Sequence, residues 1–203
     1  MPEIDENQDL SLTVNFGVDK DTGGRSGIDG AEFTIYKIAG LKVNGGSADY
    51  TLERDYQKHA VYEDNRDVTF NGMTVEESAK LASELAGEVK NGTKMTTGAD
   101  GNAVFKLSRD DTGMYLVVET AKTGTAAKYE TASPFLVSAP LASDGAWTYN
   151  VVVQPKTAPK PLPTPSKLST NVAGNTALWT GIALAAAAVC VIAKAAQKSE
   201  EGR

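Results

Sequence analysis

The sequence predicts an all-β domain interrupted by one helix, then a proline-rich linker and a C-terminal transmembrane helix. Three observations lead there. Apolar and polar residues alternate with period two in short segments throughout the first three quarters of the chain. Pairs and triplets rich in Asn, Asp and Gly (Asn44-Gly45-Gly46, Asn71-Gly72, Asp100-Gly101-Asn102, Asp144-Gly145) tolerate positive φ and mark turns at the intervals of a β domain. The longest apolar run, residues 177–193, carries no charge and stands apart near the C-terminus.

Residues 10–18 form the first strand, with Leu10, Leu12, Val14, Phe16 and Val18 on one face and Ser11, Thr13 and Asn15 on the other. After a polar loop, residues 31–38 alternate again, with Phe33, Ile35 and the stem of Lys37 on one side. Further strands are expected at residues 50–52, 103–107, 114–120, 135–138 and 147–153. The helix begins at Thr74, where Glu77 three residues on completes a capping-box pattern. Its apolar stripe is Val75, Ala79, Ala82, Leu85, Ala86 and Val89, and Asn91-Gly92 is expected to end it against a sheet.

The resulting organisation is a tail at 1–9, one domain at 10–156, a linker at 157–176, a span at 177–193 and a cytoplasmic tail at 194–203. As a helix, the seventeen residues of the span reach roughly 25 Å, close to a bilayer's hydrocarbon thickness. Prolines at 159, 161, 163 and 165 make the preceding stretch an extended spacer. The start of the chain lacks the basic and apolar regions of a signal peptide, so a trimmed N-terminus is expected, with tail anchoring as the alternative.

Composition excludes several function classes. Acidic residues outnumber Lys and Arg by 26 to 20 and no basic cluster appears before the C-terminus, which argues against nucleic acid as a partner. The sole cysteine, Cys190, lies inside the apolar run, leaving the soluble part without a disulfide or thiol nucleophile. His59 is alone and is expected on a surface loop, so no metal site and no cofactor are foreseen. No order of residues suggests catalysis, and the chain is not expected to be an enzyme.

Four segments then point one way. Gly30-Ala31-Glu32-Phe33-Thr34-Ile35-Tyr36-Lys37 is similar to the GAEFTLYK strand of Cna B-type, prealbumin-like domains in Gram-positive pilins and adhesins. Tyr115-Leu116-Val117-Val118-Glu119-Thr120 resembles their E-box, YxLxET, with Glu119 as its acid. The stretch from Trp147 to Lys156 resembles the pilin motif WxxxVxVYPK, with Gln154 in place of its tyrosine. Leu162-Pro163-Thr164-Pro165-Ser166, followed by the span and a tail with Lys194, Lys198 and Arg203, resembles an LPxTG cell-wall sorting signal; Pro165 and Ser166 replace the Thr and Gly at the scissile bond.

The resemblance implies a Cna B-like β-sandwich with one inserted helix, exported to the cell surface and anchored to wall or membrane. It implies a load-bearing pilus subunit that is a substrate of sortase, with other pilin subunits or cell-wall peptidoglycan as partners. Lys156 is the candidate amine for polymerisation, and Lys160 a weaker substitute. In relatives the E-box acid promotes an amide bond between a first-strand lysine and a last-strand Asn or Asp. Here Phe16 stands at the lysine position and no Asn or Asp lies near Val153 and Gln154, so Glu119 is read as a remnant at a strand end within reach of solvent or a backbone donor. Lys20 and Asn150 would form such a bond only with a shifted register. The competing reading is a non-polymerising surface adhesin or membrane-anchored binding module, with residues 41–47 and 53–67 contacting a host surface ligand.

Overall fold

The computed structural model describes residues 3–161 apart from residues 6, 22, 45, 46 and 144. The span, the sorting-like pentapeptide, most of the linker and the tail lie outside the described residues. Among the described residues no helix is long and apolar enough to cross a membrane.

Alternation in the first segment drives β1 (Leu10–Asn15), whose Leu10, Leu12 and Val14 are buried. The strand stops before Phe16 rather than running to Val18. The Phe16 N–H donates to the Gly101 carbonyl at 2.7 Å, and the Phe16 carbonyl accepts from Ile28 N–H, turning the chain into a small hairpin of β2 (Gly17–Asp19) and β3 (Arg25–Gly27). Gly101, with φ 77°, is required at this crossing, because a Cβ there would lie 2.2 Å from the Phe16 carbonyl oxygen.

β4 (Ala31–Asn44) is longer than the pattern foretold and is the spine of the larger sheet. One side pairs with β10 (Gly113–Lys122); the other pairs with β8 (Thr93–Thr96) along Glu32 to Ile35 and with β5 (Ser47–Leu52) from Ala39 onward. β11 (Phe135–Ala139) completes the sheet beside β10. The second sheet has the order β14 (Asn150–Val153), β1 and β9 (Asn102–Leu107), with β14 parallel to β1. Small hairpins β6 (Tyr62–Glu63) with β7 (Arg66–Asp67), and β12 (Leu141–Ser143) with β13 (Ala146–Thr148), decorate the sandwich. The segment expected as one strand at 147–153 therefore splits at Tyr149, whose carbonyl accepts the Ser11 N–H.

Inner faces of the two sheets meet in one core of Leu12, Val14, Phe16, Phe33, Ile35, Phe105, Val117, Val151 and Val153. Phe16 and Phe33 pack edge to face with centroids 5.5 Å apart. Alternation along β4 turns Tyr36 and Ile38 to the face opposite Phe33 and Ile35, where Ile38 joins Leu116 under the helix α1 (Val75–Ala86). A bulge opposite Met114 and Tyr115 leaves Ile38 out of the pairing with β10.

The helix has the foreseen capping box: Thr74 Oγ1 accepts from Glu77 N–H at 3.2 Å, and Glu77 Oε2 accepts from Thr74 N–H at 2.8 Å. The Thr74 N–H foremost, and then the Thr74 hydroxyl, hold the Glu77 carboxyl below its ordinary pKa. The buried face is Leu81, Ala82 and Leu85, whereas Val75, in the first turn, is exposed. Asn91-Gly92 does not end the helix. The helix closes at Ala86 with Gly87 as its cap, and Asn91, at φ 60°, makes a later turn into β8.

Candidate functional site

The burial pattern that forms β14 continues past its last residue. Val151, Val153 and Pro155 are buried while Asn150, Val152, Gln154 and Lys156 are exposed, so one period of two carries Lys156 onto the outer row. Lys156 makes no hydrogen bond or ion pair with any described residue. Its neighbours on both sides are tied down. Arg25 Nη2 donates to the Pro155 carbonyl at 3.1 Å while Arg25 Nη1 meets Asp19 Oδ1 at 3.0 Å, and Thr157 Oγ1 donates to the Glu130 carbonyl at 2.8 Å.

Beyond Lys156 the chain is not free immediately. Residues 157–160 lie as a strap against the segment that follows the short 3-10 helix Gly124–Lys128. Glu130 N–H donates to the Ala158 carbonyl at 2.8 Å, Lys160 N–H donates to the Lys128 carbonyl at 2.8 Å, and Tyr129 and Pro159 form an antiparallel bridge. Lys160 Nζ also donates to the Ala127 carbonyl at 2.9 Å, so this amine is engaged where that of Lys156 is not. Leu162, Pro163, Thr164, Pro165 and Ser166 lie outside the described residues.

Glu119 sits directly across from Phe33 and faces the core, not a strand end open to water. Its side chain is 0% exposed. Oε2 accepts the Ala132 N–H at 2.6 Å, and Lys122 Nζ is 3.6 Å from Oε1, which has no hydrogen-bond partner. Burial pushes the carboxyl above its ordinary pKa, opposed by the Ala132 N–H and the Lys122 ammonium. The adjoining Thr120 links two motifs: its hydroxyl donates to Glu32 Oε1 at 2.8 Å, and Glu32 also takes Lys94 Nζ at 3.1 Å.

The surroundings of Glu119 bear on the amide bond expected in relatives. β1 and β14 run in register from Ser11 beside Asn150 to Val14 beside Val153. Two residues past the end of this ladder on each chain are the buried Phe16 and Pro155, and neither offers an amine or a carboxamide. Asn150 lies beside Ser11, accepting its hydroxyl at 2.9 Å, at the opposite end of β1 from the exposed Lys20.

His59 differs from the surface-loop residue foreseen. It ends the 3-10 helix Arg54–His59 with its side chain 14% exposed, and its ring nitrogens face Glu84 Oε2 of α1 at 3.7 Å and Glu88 Oε2, just past the end of α1, at 3.1 Å. This placement beside Glu84 and Glu88 is announced by no spacing in the sequence. Among the described residues no group of three or more His, Cys, Asp or Glu is disposed to hold a metal ion. Arg25, Lys122, Glu130 and Thr157, which brace the strap and the end of β14, carry no motif signal.

A family model described as the N-terminal domain of the Gram-positive pilin subunit D1 matches residues 5–158, and the chain belongs to this family. No curated protein matches. Among solved structures it is similar to the full-length major pilin SpaD from Corynebacterium diphtheriae, at 25% identity and TM-score 0.43, over 77% of this chain and 31% of that one. It is also similar to the fimbrial protein FimP from Actinomyces oris, at 28% identity and TM-score 0.45, over 76% of this chain and 30% of that one. The SpaB basal pilin from Lactobacillus rhamnosus GG aligns at 17% identity and TM-score 0.42, over 73% of this chain and 96% of that one. The chain thus spans under a third of the SpaD and FimP chains.

Proposed function

We propose that this member of the Gram-positive pilin D1 family is a structural subunit of a sortase-assembled pilus, displayed at the cell surface, with Lys156 as its polymerisation amine. The observation that supports this most is Lys156 itself: exposed, without a partner among the described residues and braced on both flanks, just past the last described strand of a domain matched from 5 to 158. The chain's role is structural, and the chemistry belongs to the sortase. The neutral Lys156 amine attacks the acyl-enzyme carbonyl of Pro165 in another copy. The N–C bond forms, the C–S bond to the sortase cysteine breaks, and the proton shed by nitrogen passes to the departing thiolate. At the end of assembly a peptidoglycan amine takes the place of Lys156, and until cleavage residues 177–193 hold the protein in the membrane.

Lys156→Arg tests the assignment, because guanidinium stays protonated to a pKa above about 12 and supplies no neutral nucleophile. High-molecular-weight ladders in wall extracts are expected to vanish while surface display persists. Ladders that survive Lys156→Arg and disappear in Lys160→Arg would move the role to Lys160.

A second reading, the non-polymerising adhesin, is favoured by one feature. The two loop regions singled out in the sequence meet at a concavity of about 250 Å³ lined by Lys42, Asn44, Asp49, Tyr50, Arg66 and Asp67. A single band in place of a ladder, with host-surface binding lost in Arg66→Ala, is the result this reading expects.

A further inference from the structure

Glu119 and Lys122 form a buried pair that the assembly chemistry does not use. A carboxylate placed across from Phe33, on the strand face it shares with Val117, is costly to bury, and Met would fill its volume without that cost. What Met would not supply is an acceptor for the buried N–H of Ala132. Lys122 acts beside it, donating from Nζ to the Tyr129 carbonyl at 2.8 Å. Together they fix both ends of the short stretch 129–132. That stretch, with Lys128 next to it, is the platform for the strap, since Glu130 N–H and carbonyl hold Ala158 and Thr157 while the adjoining Lys128 carbonyl takes the Lys160 N–H. The strap has few bonds of its own, because Pro159 and Pro161 bring no N–H, and its order therefore depends on the platform.

We propose that Glu119 is a positioning residue for Lys156: its carboxylate holds the 129–132 platform, the platform holds the 157–160 strap, and the strap fixes Lys156 pointing outward. This rests on the reading of Lys156 as the nucleophile. A braced backbone on both sides removes conformational freedom that the amine would otherwise lose on meeting the acyl-enzyme. The E-box acid thereby serves without forming any covalent bond in its own domain.

The test compares Glu119→Met with Glu119→Gln, which both fill the space while only Gln keeps an oxygen for the Ala132 N–H. Hydrogen exchange is read by mass spectrometry on the full chain in detergent, and ladder yield is read in cells. Expected for Glu119→Met are exchange at Glu130, Ala132 and Lys160 faster by at least about tenfold, a several-fold loss of ladder, and unchanged protection of β1 and β9. Glu119→Gln should restore strap protection and ladder toward the native level. Native-like exchange of the strap in Glu119→Met, or equal impairment in both variants, overturns the proposal. If Glu119→Met loses β1 protection as well, Thr157→Val decides, for it removes a strap contact without touching the core. Faster Lys160 exchange with fewer ladders then supports the mechanism, and no change in either overturns it. Strap exchange reads this proposal alone, whereas ladders persisting in Lys156→Arg would defeat the nucleophile assignment and leave the strap result standing.

Discussion

Phe16 occupies the place where the resemblance expects a cross-linking lysine, so the domain should depend on its packing, and Phe16→Ala measures how much. The side chain is 0% exposed and lies edge to face with Phe33 at 5.5 Å. Truncating a buried Phe to Ala costs about 3–5 kcal/mol, depending on how far the site collapses. Here collapse is resisted. The Phe16 N–H and carbonyl are held by Gly101 and Ile28 at 2.7 and 2.9 Å, so the backbone cannot sink into the cavity. Loss of the aromatic pair adds to the penalty, and a value near the upper end, about 4–5 kcal/mol, is expected. For a domain of this size, at about 2–4 °C per kcal/mol, the midpoint should fall by roughly 10–20 °C. Thermal and urea unfolding of the purified protein check this, with Phe16→Leu as a control expected to lose under about 1.5 kcal/mol. A loss below about 1 kcal/mol in Phe16→Ala would refute the reasoning, because it would mean that something other than this packing joins the sheets.

Three further outcomes are expected. The intact mass should equal that calculated from the sequence, without the loss of one ammonia that a lysine-to-asparagine amide bond would produce; finding that loss, with Lys20 joined to Asn150, would contradict the register between β1 and β14. Burial raises the Glu119 carboxyl above its ordinary 4.5, so the folded state binds more protons than the unfolded state as pH rises from about 4.5 to the raised value, and this group's contribution to stability falls across that window. The stability of Glu119→Gln relative to the parent should accordingly increase with pH through the window and level off above it, and a difference that stays flat from acid to neutral pH would remove the buried-carboxylate account. At the anchor, Pro165 puts a ring with φ fixed near roughly −65° where relatives present threonine; detergent should extract much of the protein, and Pro165→Thr with Ser166→Gly should shift it to the wall fraction, whereas efficient wall linkage of the unaltered chain would show that its sortase accepts proline.

The elements that bury one face were legible in the sequence because burial imposes a period. β1, β9, β10 and α1 follow from alternation or from the Thr74 to Glu77 box. β8 was not foreseen because all four of its side chains are exposed, so it joins the sheet through backbone bonds without an apolar pattern. The break at Phe16 was hidden for a related reason: alternation continues through it, and what ends the strand is a switch of partner, the Phe16 N–H still bonding Gly101 in register with β9 while its carbonyl is taken by the distant Ile28 N–H. The strap was the least visible part. Thr157, Ala158, Pro159 and Lys160 read as linker by composition, and their partners are backbone groups of Ala127, Lys128 and Glu130, which leave no trace in residue identity. Glu119 was marked by its motif, yet its environment depends on an N–H thirteen residues later in the chain.

The position of Lys156 relative to the sorting-like signal changes what the sandwich must withstand. With Lys156 joined to one copy and Pro165 to another, tension enters and leaves this chain within ten residues, 156–165. β14 lies on the N-terminal side of Lys156, so the force path runs along backbone covalent bonds and does not pass in series through the β1–β14 ladder or the core. Under the proposed linkage the sandwich would be carried beside the force path. A domain outside the force path has no need of a cross-link between its first and last strands, and Phe16 with Pro155 in place of an amine and a carboxamide agrees with that. What lies within the path is the strap. Its few bonds, each worth about 0.5–1.5 kcal/mol net, are the first that tension loads, and they are those anchored through Glu119 and Lys122. Under the proposed linkage the same segment would present the amine during assembly and yield first afterwards, while the core stays folded.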